Sequence, residues 1–123
     1  MLLVPTYVAP SAIHGLGVFA AEPIPRGTPM WRFQEGLDAI VSEGVAEDVP
    51  EVARRFLRRY AYQSPQFPGG LVLGFDDSRF INHCDDPNTD NTAEVTVARR
   101  DIARDEEITC DYGEFCTEFD LDD

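Results

Sequence analysis

The chain has 123 residues and a formal net charge of −13 at neutral pH, from 23 acidic and 10 basic residues. This length suits one domain with a single core, and such acidity argues against direct binding of nucleic acid, whose phosphates require Lys and Arg. The same charge is compatible either with attraction of a basic protein partner or simply with solubility.

Cysteine content and hydropathy set further bounds. Three widely spaced cysteines do not make a disulfide framework and suit a reducing compartment. There is no run of about 18 apolar residues, so no membrane span is expected. Residues 1–10 lack the basic segment of a signal peptide. We therefore expect a cytoplasmic protein.

Short strands are predicted along most of the chain, from alternating apolar residues bounded by glycine and proline. They comprise an edge strand within residues 1–9, then 18–20, 28–33, 71–73, 94–98 and 107–110. Residues 34–45 give no clear pattern. The fold class is therefore expected to be mainly β, with one domain over residues 1–117 and an acidic tail, 118–123, that we expect to be frayed.

One helix is predicted from about residue 50 to residue 60. Asp48 and Glu51 have the spacing of a capping box, with Pro50 near the first turn. Its apolar face is expected to comprise Val49, Val52, Ala53, Phe56, Leu57 and Tyr60. The other face carries Arg54, Arg55, Arg58 and Arg59. Such a face is either solvated or a docking surface for an acidic partner.

Three segments carry the functional signal. Residues 79–88 read RFINHCDDPN, residues 105–112 read DEEITCDY, and residues 15–20 read GLGVFA, followed by IPRG at 24–27. A glycine pair alone is weak evidence, but the first two segments are dense, and their order and spacing fit. They resemble the RFxNHSCxPN and GEELTxDY motifs of SET-domain protein lysine methyltransferases, and the third resembles that family's GxGVFA segment.

The resemblance implies a SET-domain fold with small curled β-sheets and a C-terminal pseudoknot, in which the Asn82-His83 segment is threaded through a loop of the C-terminal part. It implies transfer of a methyl group from S-adenosylmethionine to the side-chain amine of lysine. The implied partner is a basic protein, either histone-like, chromosomal or ribosomal. If the source is eukaryotic or viral, the implied location is the nucleus of the cell or host.

The resemblance also implies site residues. Contacts with S-adenosylmethionine are expected from Gly15, Leu16, Gly17, Arg79, Asn82, His83, Tyr112 and Phe115. The glycines would let the backbone approach the donor, because they lack a Cβ. Tyr112 is expected to be catalytic, with a neutral phenol that can orient the amine.

A second catalytic tyrosine is expected at Tyr62, with Tyr60 as the alternative, because Tyr60 also fits the apolar helix face. The lysine channel is expected to be lined by Leu16, Tyr60 and Cys110. Cys110 stands where the family often has Phe or Tyr, and its small size predicts room for di- or trimethylation.

The resemblance is incomplete after residue 112. Larger family members have a cysteine-rich segment there that binds zinc and closes the lysine channel, whereas only Cys116 follows here, so no metal site is expected. Phe115 and Phe119, or a second subunit, could supply the missing wall, which predicts a homodimer. The alternative function is a non-catalytic SET-like module that binds a basic peptide or partner without turnover.

Overall fold

The computed structural model describes residues 1–115. Cys116, Phe119 and the acidic tail lie outside the described residues, together with the predicted domain boundary after residue 117. The strands are β1 (Thr6–Pro10), β2 (Leu16–Ala20), β3 (Pro29–Trp31), β4 (Ala39–Ser42), β5 (Tyr62–Gln63), β6 (Gly70–Leu73), β7 (Asn82–His83), β8 (Thr89–Asp90), β9 (Thr96–Ala98) and β10 (Glu107–Cys110). The helices are α1 (Glu43–Asp48), α2 (Glu51–Tyr60) and two 3-10 turns, η1 (Asp77–Phe80) and η2 (Tyr112–Glu114).

The strands form three small sheets. Their orders are β1-β2-β10-β7, β3-β9-β8 and β4-β6-β5. Most neighbours are antiparallel, whereas β7 and β10 are parallel. Two hydrophobic clusters lie beneath the sheets, one around Val18, Met30 and Ile108 and the other around Leu57 and Leu71. This mostly β architecture confirms the predicted fold class.

Strand β10 joins the three sequence motifs. Ile108 pairs with Val18 of β2, while Thr109 and Cys110 pair with Asn82 and His83 of β7. The first motif segment, the Asn82-His83 segment and the last motif segment thus lie side by side. This crossing of distant segments is the arrangement that the predicted pseudoknot requires.

The N-terminal residues are tied to the segment that precedes η1. The Met1 ammonium donates to Asp38 Oδ2 at 3.0 Å, and the Asp38 side chain is completely buried. Asp38 also accepts from the backbone amides of Gln34 and Phe75, so its carboxylate is well satisfied. Next to it, the Leu2 amide donates to Asp76 Oδ2 at 2.8 Å.

The elements that were predicted agree with the structure, except around the helix, but β4, β5, β7, β8 and the helix α1 were not predicted. All six predicted strands are confirmed within a few residues, and the helix prediction is confirmed by α2. The capping box is wrong: Asp48 is the last residue of α1, and Pro50 caps α2 without a side-chain hydrogen bond. The predicted apolar face is also only partly right, because Leu57 is buried whereas Val52 is 77% and Phe56 43% exposed.

Within the described residues, no helix is long and apolar enough to cross a membrane. Over the same residues, no three His, Cys, Asp or Glu side chains are grouped so that they could bind a metal ion. Cys84 is a free thiol.

Candidate active site

Two cavities meet in the region where the motifs converge. The larger, of about 260 Å³, includes Tyr62, Cys110 and Phe115 in its wall, and we call it the aromatic cavity. The smaller, of about 220 Å³, includes Leu16 and Asn82, and we call it the polar cavity. Five residues line both cavities and form their junction: Arg59, Tyr60, Arg79, Ile81 and Tyr112.

Tyr112 is fixed at this junction by contacts with β7 and its neighbour. Its hydroxyl donates to the Ile81 carbonyl at 2.9 Å, and its backbone amide donates to His83 Nδ1 at 3.1 Å. The His83 ring lies 5.2 Å from the Tyr112 ring, centre to centre. The phenol is therefore held in one orientation, while the residue as a whole remains 45% exposed.

His83 has a defined tautomer in this arrangement. Because Nδ1 accepts from the Tyr112 amide, the proton of a neutral ring is on Nε2, which faces Asp85 Oδ1 at 2.9 Å. His83 is absent from the lining of both cavities. Its contacts show that it orients Tyr112, a positional role that its place in the motif alone could not reveal.

The segment after Tyr112 is anchored through Glu114. Glu114 accepts from the Arg99 guanidinium and from the Asn91 amide, which links η2 to the β8-β9 hairpin. The hydrogen bond with Glu114 raises the pKa of Arg99, and the attraction of that carboxylate adds to the effect. Arg99 is therefore a fixed cation that holds the C-terminal side of the site in place.

Asn82 organises the turn that precedes β2. Its two N–H groups are shared among three acceptors within hydrogen-bonding distance of Nδ2: the carbonyls of His14 and Leu16, both at 3.1 Å, and Glu107 Oε2 at 3.0 Å. Ser11 Oγ lies 2.7 Å from Glu107 Oε1, so the carboxylate is held from a second side. The amide nitrogen of Asn82 is thus already bonded to protein groups. This side chain therefore supports the wall of the polar cavity.

The two motif glycines act differently from each other. Gly15 has a φ of +47°, a conformation that side chains disfavour, and it ends the turn that precedes β2. A Cβ on Gly17 would overlap the Glu107 carboxylate. Gly17 therefore accommodates a protein side chain at the place where close approach of a donor was expected. Neither glycine lines a cavity, although His14 and Leu16 beside them line the polar one.

The aromatic cavity is walled by packed rings. Tyr62 and Phe115 meet edge-on with centres 5.0 Å apart, and Phe115 meets Tyr112 at 6.0 Å. Cys110 is 6% exposed and completes this wall. Tyr60 instead stands at the junction, where it meets Phe80 edge-on at 5.7 Å.

The structure groups the predicted residues into two sets. Four of the residues predicted for the donor line the polar cavity and Phe115 lines the aromatic one, whereas Gly15, Gly17 and His83 line neither; the four are Leu16, Arg79, Asn82 and Tyr112. Of the predicted channel residues, Leu16 lies on the polar cavity, Cys110 on the aromatic cavity and Tyr60 on both. Tyr62 lines the aromatic cavity only. The individual roles of these residues stay predictions.

Sequence reasoning missed two structural anchors. Asn88 is 2% exposed and its side chain spans β10: Oδ1 accepts from the Thr109 amide at 2.9 Å, and Nδ2 donates to the Glu107 carbonyl at 2.8 Å. The second anchor is Glu107, described above. Both belong to motif segments, so the signal was present, but a residue type cannot show which strand its side chain bonds.

Comparisons with known proteins agree with this geometry. The SET domain family model matches residues 15–113. A histone-lysine N-methyltransferase of Eremothecium gossypii, specific for H3 lysine 4, is 34% identical over 88% of this chain. The chain spans only 12% of the length of that relative.

Solved structures show the same fold. A histone methyltransferase structure from Plasmodium falciparum superposes with a TM-score of 0.64 at 23% identity, covering 91% of this chain and 96% of that one. Polycomb Repressive Complex 2 of Chaetomium thermophilum, bound to S-adenosylmethionine, superposes with a TM-score of 0.67 at 21% identity, covering 94% of this chain and 16% of that one. The described fold, the motif geometry and these matches together show that the chain belongs to the SET-domain family.

Proposed function

We propose that this protein transfers a methyl group from S-adenosylmethionine to the side-chain amine of a lysine in a basic protein substrate. One observation carries the proposal: Tyr112 lines both cavities, so a donor in one and a lysine in the other would meet at its phenol. The relative from Eremothecium gossypii has the same activity class in its name.

The polar cavity fits the donor chemically. Its wall combines aromatic faces at Tyr60 and Phe80 with polar groups at His14 and Asn82. Arg79 also lines it and keeps a buried Nε without a hydrogen-bond partner among the described residues. An adenine ring can stack on the aromatic faces and hydrogen-bond to the polar groups, and a cation can bind the carboxylate of the amino-acid end. S-adenosylmethionine would supply a methyl group on a positively charged sulfur.

The aromatic cavity fits the lysine. An amine with an ordinary pKa of about 10.4 must lose its proton before it can act as a nucleophile. Apolar walls such as Tyr62, Phe115 and Cys110 favour the neutral amine, because burial disfavours the charged form. The Tyr112 hydroxyl, already directed by the Ile81 carbonyl, would orient the amine. Positioning of this kind can supply several kcal/mol of the barrier.

The small size of Cys110 bears on the number of methyl groups transferred, and the net charge of the chain bears on the class of substrate. Cys110 is small, so the cavity beside it has room for more than one methyl group on the amine. The net charge of −13 would attract a basic protein over a long range. We propose a histone-like, chromosomal or ribosomal substrate on these grounds.

Two measurements test the proposal in sequence. Isothermal titration with S-adenosylmethionine should show saturable binding, and mass spectrometry of a cell extract treated with isotopically labelled donor should then show methylated lysine. Absence of binding at millimolar donor would contradict donor use. Binding without any labelled lysine would support the non-catalytic SET-like module instead.

A further inference from the structure

The two ring nitrogens of His83 contact different parts of the site. Nδ1 accepts from the backbone amide of Tyr112 at 3.1 Å, whereas Nε2 lies 2.9 Å from Asp85 Oδ1. A second carboxylate oxygen, Asp111 Oδ1, lies 3.7 Å from Nδ1. Nδ1 can accept from the Tyr112 amide while it carries no proton. The contact that fixes Tyr112 therefore depends on the protonation state of this imidazole.

Across the described part of the chain, the titratable groups in contact with the His83 ring come from two segments. Asp85 belongs to the turn after β7, while Asp111 and Tyr112 follow β10, the strand that pairs with β7. One cation acts at a further remove, since Arg99 interacts electrostatically with Asp111. An imidazolium donates from both nitrogens, and here each N–H would face a carboxylate.

A proton on Nδ1 is incompatible with the present contact, because two N–H donors would then face each other. The new N–H can instead reach Asp111 Oδ1 if their separation shortens from 3.7 Å to about 3 Å. That oxygen already accepts from the Gly113 amide at 2.9 Å and caps η2, the turn that begins with Tyr112. Protonation of His83 would thus remove the acceptor of the Tyr112 amide and disturb the cap of the same turn.

We propose that His83 is a proton-controlled positioning residue: its neutral ring holds Tyr112 in place, and a proton on Nδ1 releases the Tyr112 backbone. The His83 side chain is 40% exposed, so protons from solvent reach it. Acid would then slow methyl transfer through the protein itself, in addition to protonating the substrate amine. The effect on the rate rests on the proposed function, whereas the coupling between the two residues does not.

NMR spectroscopy tests the coupling without any ligand. In ¹⁵N-labelled protein, the imidazole nitrogens of His83 and the backbone amide of Tyr112 are followed from about pH 8 to about pH 5, the range in which imidazoles change charge. We expect both sets of signals to move with one midpoint. The Tyr112 amide proton should shift upfield as its hydrogen bond is lost.

Two variants complete this experiment. His83→Asn keeps an oxygen near the position of Nδ1 but takes up no proton, so the Tyr112 amide should stop responding to pH. His14→Asn is the matched control, since it removes the chain's other histidine and should leave the response unchanged. A Tyr112 amide that stays fixed over this range in the wild type, or that still moves in His83→Asn, would overturn the proposal. If His83→Asn does not fold, the wild-type titration decides.

The consequence for the reaction is measured as a ratio of rates. Wild-type protein and His83→Asn are each given labelled donor and the same heat-treated cell extract, in which other methyltransferases are inactive. The ratio of their initial rates cancels protonation of the substrate amine, which both share. We expect this ratio to fall by about tenfold from pH 8 to one unit below the NMR midpoint.

A flat ratio would overturn the positioning role even if the amide moves. Absence of methyl transfer by the wild-type protein at every pH would instead contradict the proposed function, and the NMR titration would still decide whether His83 controls the Tyr112 backbone.

Discussion

The Tyr112 hydroxyl offers the sharpest test of the site at the scale of one residue. Tyr112→Phe keeps the ring and its packing but removes the group that contacts the Ile81 carbonyl. We expect methyl transfer to fall by about a hundredfold, as for loss of an orienting hydrogen-bonding group, with donor affinity and melting temperature nearly unchanged.

Tyr7→Phe is the matched control for this change. The Tyr7 hydroxyl donates to Asp105 at 2.8 Å, on a surface away from both cavities, so its removal should leave the rate unaltered. Activity of Tyr112→Phe within about twofold of the parent would contradict the role given to this hydroxyl.

Gly17 tests whether the glycine motif serves the protein itself. Gly17→Ala places a methyl group against the Glu107 carboxylate, which Asn82 and Ser11 hold. We expect a loss of about 1–3 kcal/mol in the free energy of unfolding, typical of overpacking. Urea denaturation measures it.

A double-mutant cycle identifies the cause of that loss. In a Glu107→Ala background the added methyl group has space, so Gly17→Ala should cost clearly less there than in the wild type. Equal costs in the two backgrounds would show that Glu107 is not the obstacle.

The sequence identified these residues through motif spacing but could not assign their partners. Asn82 and Gly17 stand out in the chain, yet their link passes through Glu107, far away in sequence. Arg59 belongs to no motif. It is one of four arginines on a helix face, and the sequence alone predicts that such a face is solvated. Which side chains contact one another, and which line the same cavity, can be seen only in the folded structure.

Strand β10 depends on Asn88 more than on any other side chain described here. Asn88→Ala would remove the acceptor for the Thr109 amide and the donor to the Glu107 carbonyl, both in a nearly dry environment. We expect the unfolding free energy to fall by about 2–4 kcal/mol, since buried groups are left without partners.

Asn91→Ala provides the comparison for this change. The side chain of Asn91 bonds those of Thr89 and Thr96 rather than the backbone of β10, so its loss should cost less. Comparable destabilisation by the two substitutions would contradict the special position of Asn88.

Asp76, which caps the turn η1, should make the free energy of unfolding depend on pH. Burial alone would raise the pKa of Asp76, but hydrogen bonds from Ser78 and the Leu2 amide outweigh it, so the pKa in the folded state is lowered. A lowered pKa means stability that is present above the unfolded value of about 3.9 and lost as the pH falls through the folded value.

Asp76→Asn should therefore reduce the unfolding free energy at pH 7 and have little effect at about pH 2. Urea denaturation at the two pH values measures the difference. Asp77→Asn, at an exposed neighbouring residue, is the matched control and should leave the unfolding free energy at pH 7 nearly unchanged. An equal effect of Asp76→Asn at both pH values would contradict the argument.

The presence of these strands and of α2 was easier to predict than the residues at which they begin and end. Period-two strands and the helical repeat of α2 follow from local pattern, which is why they were found. The start of α2 was wrong because a second helix, α1, ends where the capping box was expected. Val52 and Phe56 fit the helical period but stay exposed, although the Phe56 ring lies 4.8 Å from that of Tyr60. Leu57 instead packs in the cluster that contains Leu71.

At the scale of the whole molecule, the homodimer remains a prediction. Phe115 packs on Tyr62 and Tyr112, so it offers less free surface than expected for an interface. Exposed apolar side chains are found instead on α1 and α2, at Val45 and Val52. We expect light scattering at physiological ionic strength to give twice the chain mass of 13.8 kDa.

Val52→Asp should reduce that mass if the helices form the contact. Val95→Asp, at another exposed valine outside the helices, should not. A mass of one chain for the wild-type protein would contradict the dimer.

The central position of β10 in its sheet determines at which stage of folding the site can form. Ile108 of this strand pairs with Val18, and Cys110 pairs with His83, so the contacts that join both cavities span most of the chain. Contacts between distant segments form slowly, because a long loop must close before they are made. A chain still emerging from the ribosome cannot complete the junction of the two cavities until residue 112 has been released, so the site would form in one step, late in folding.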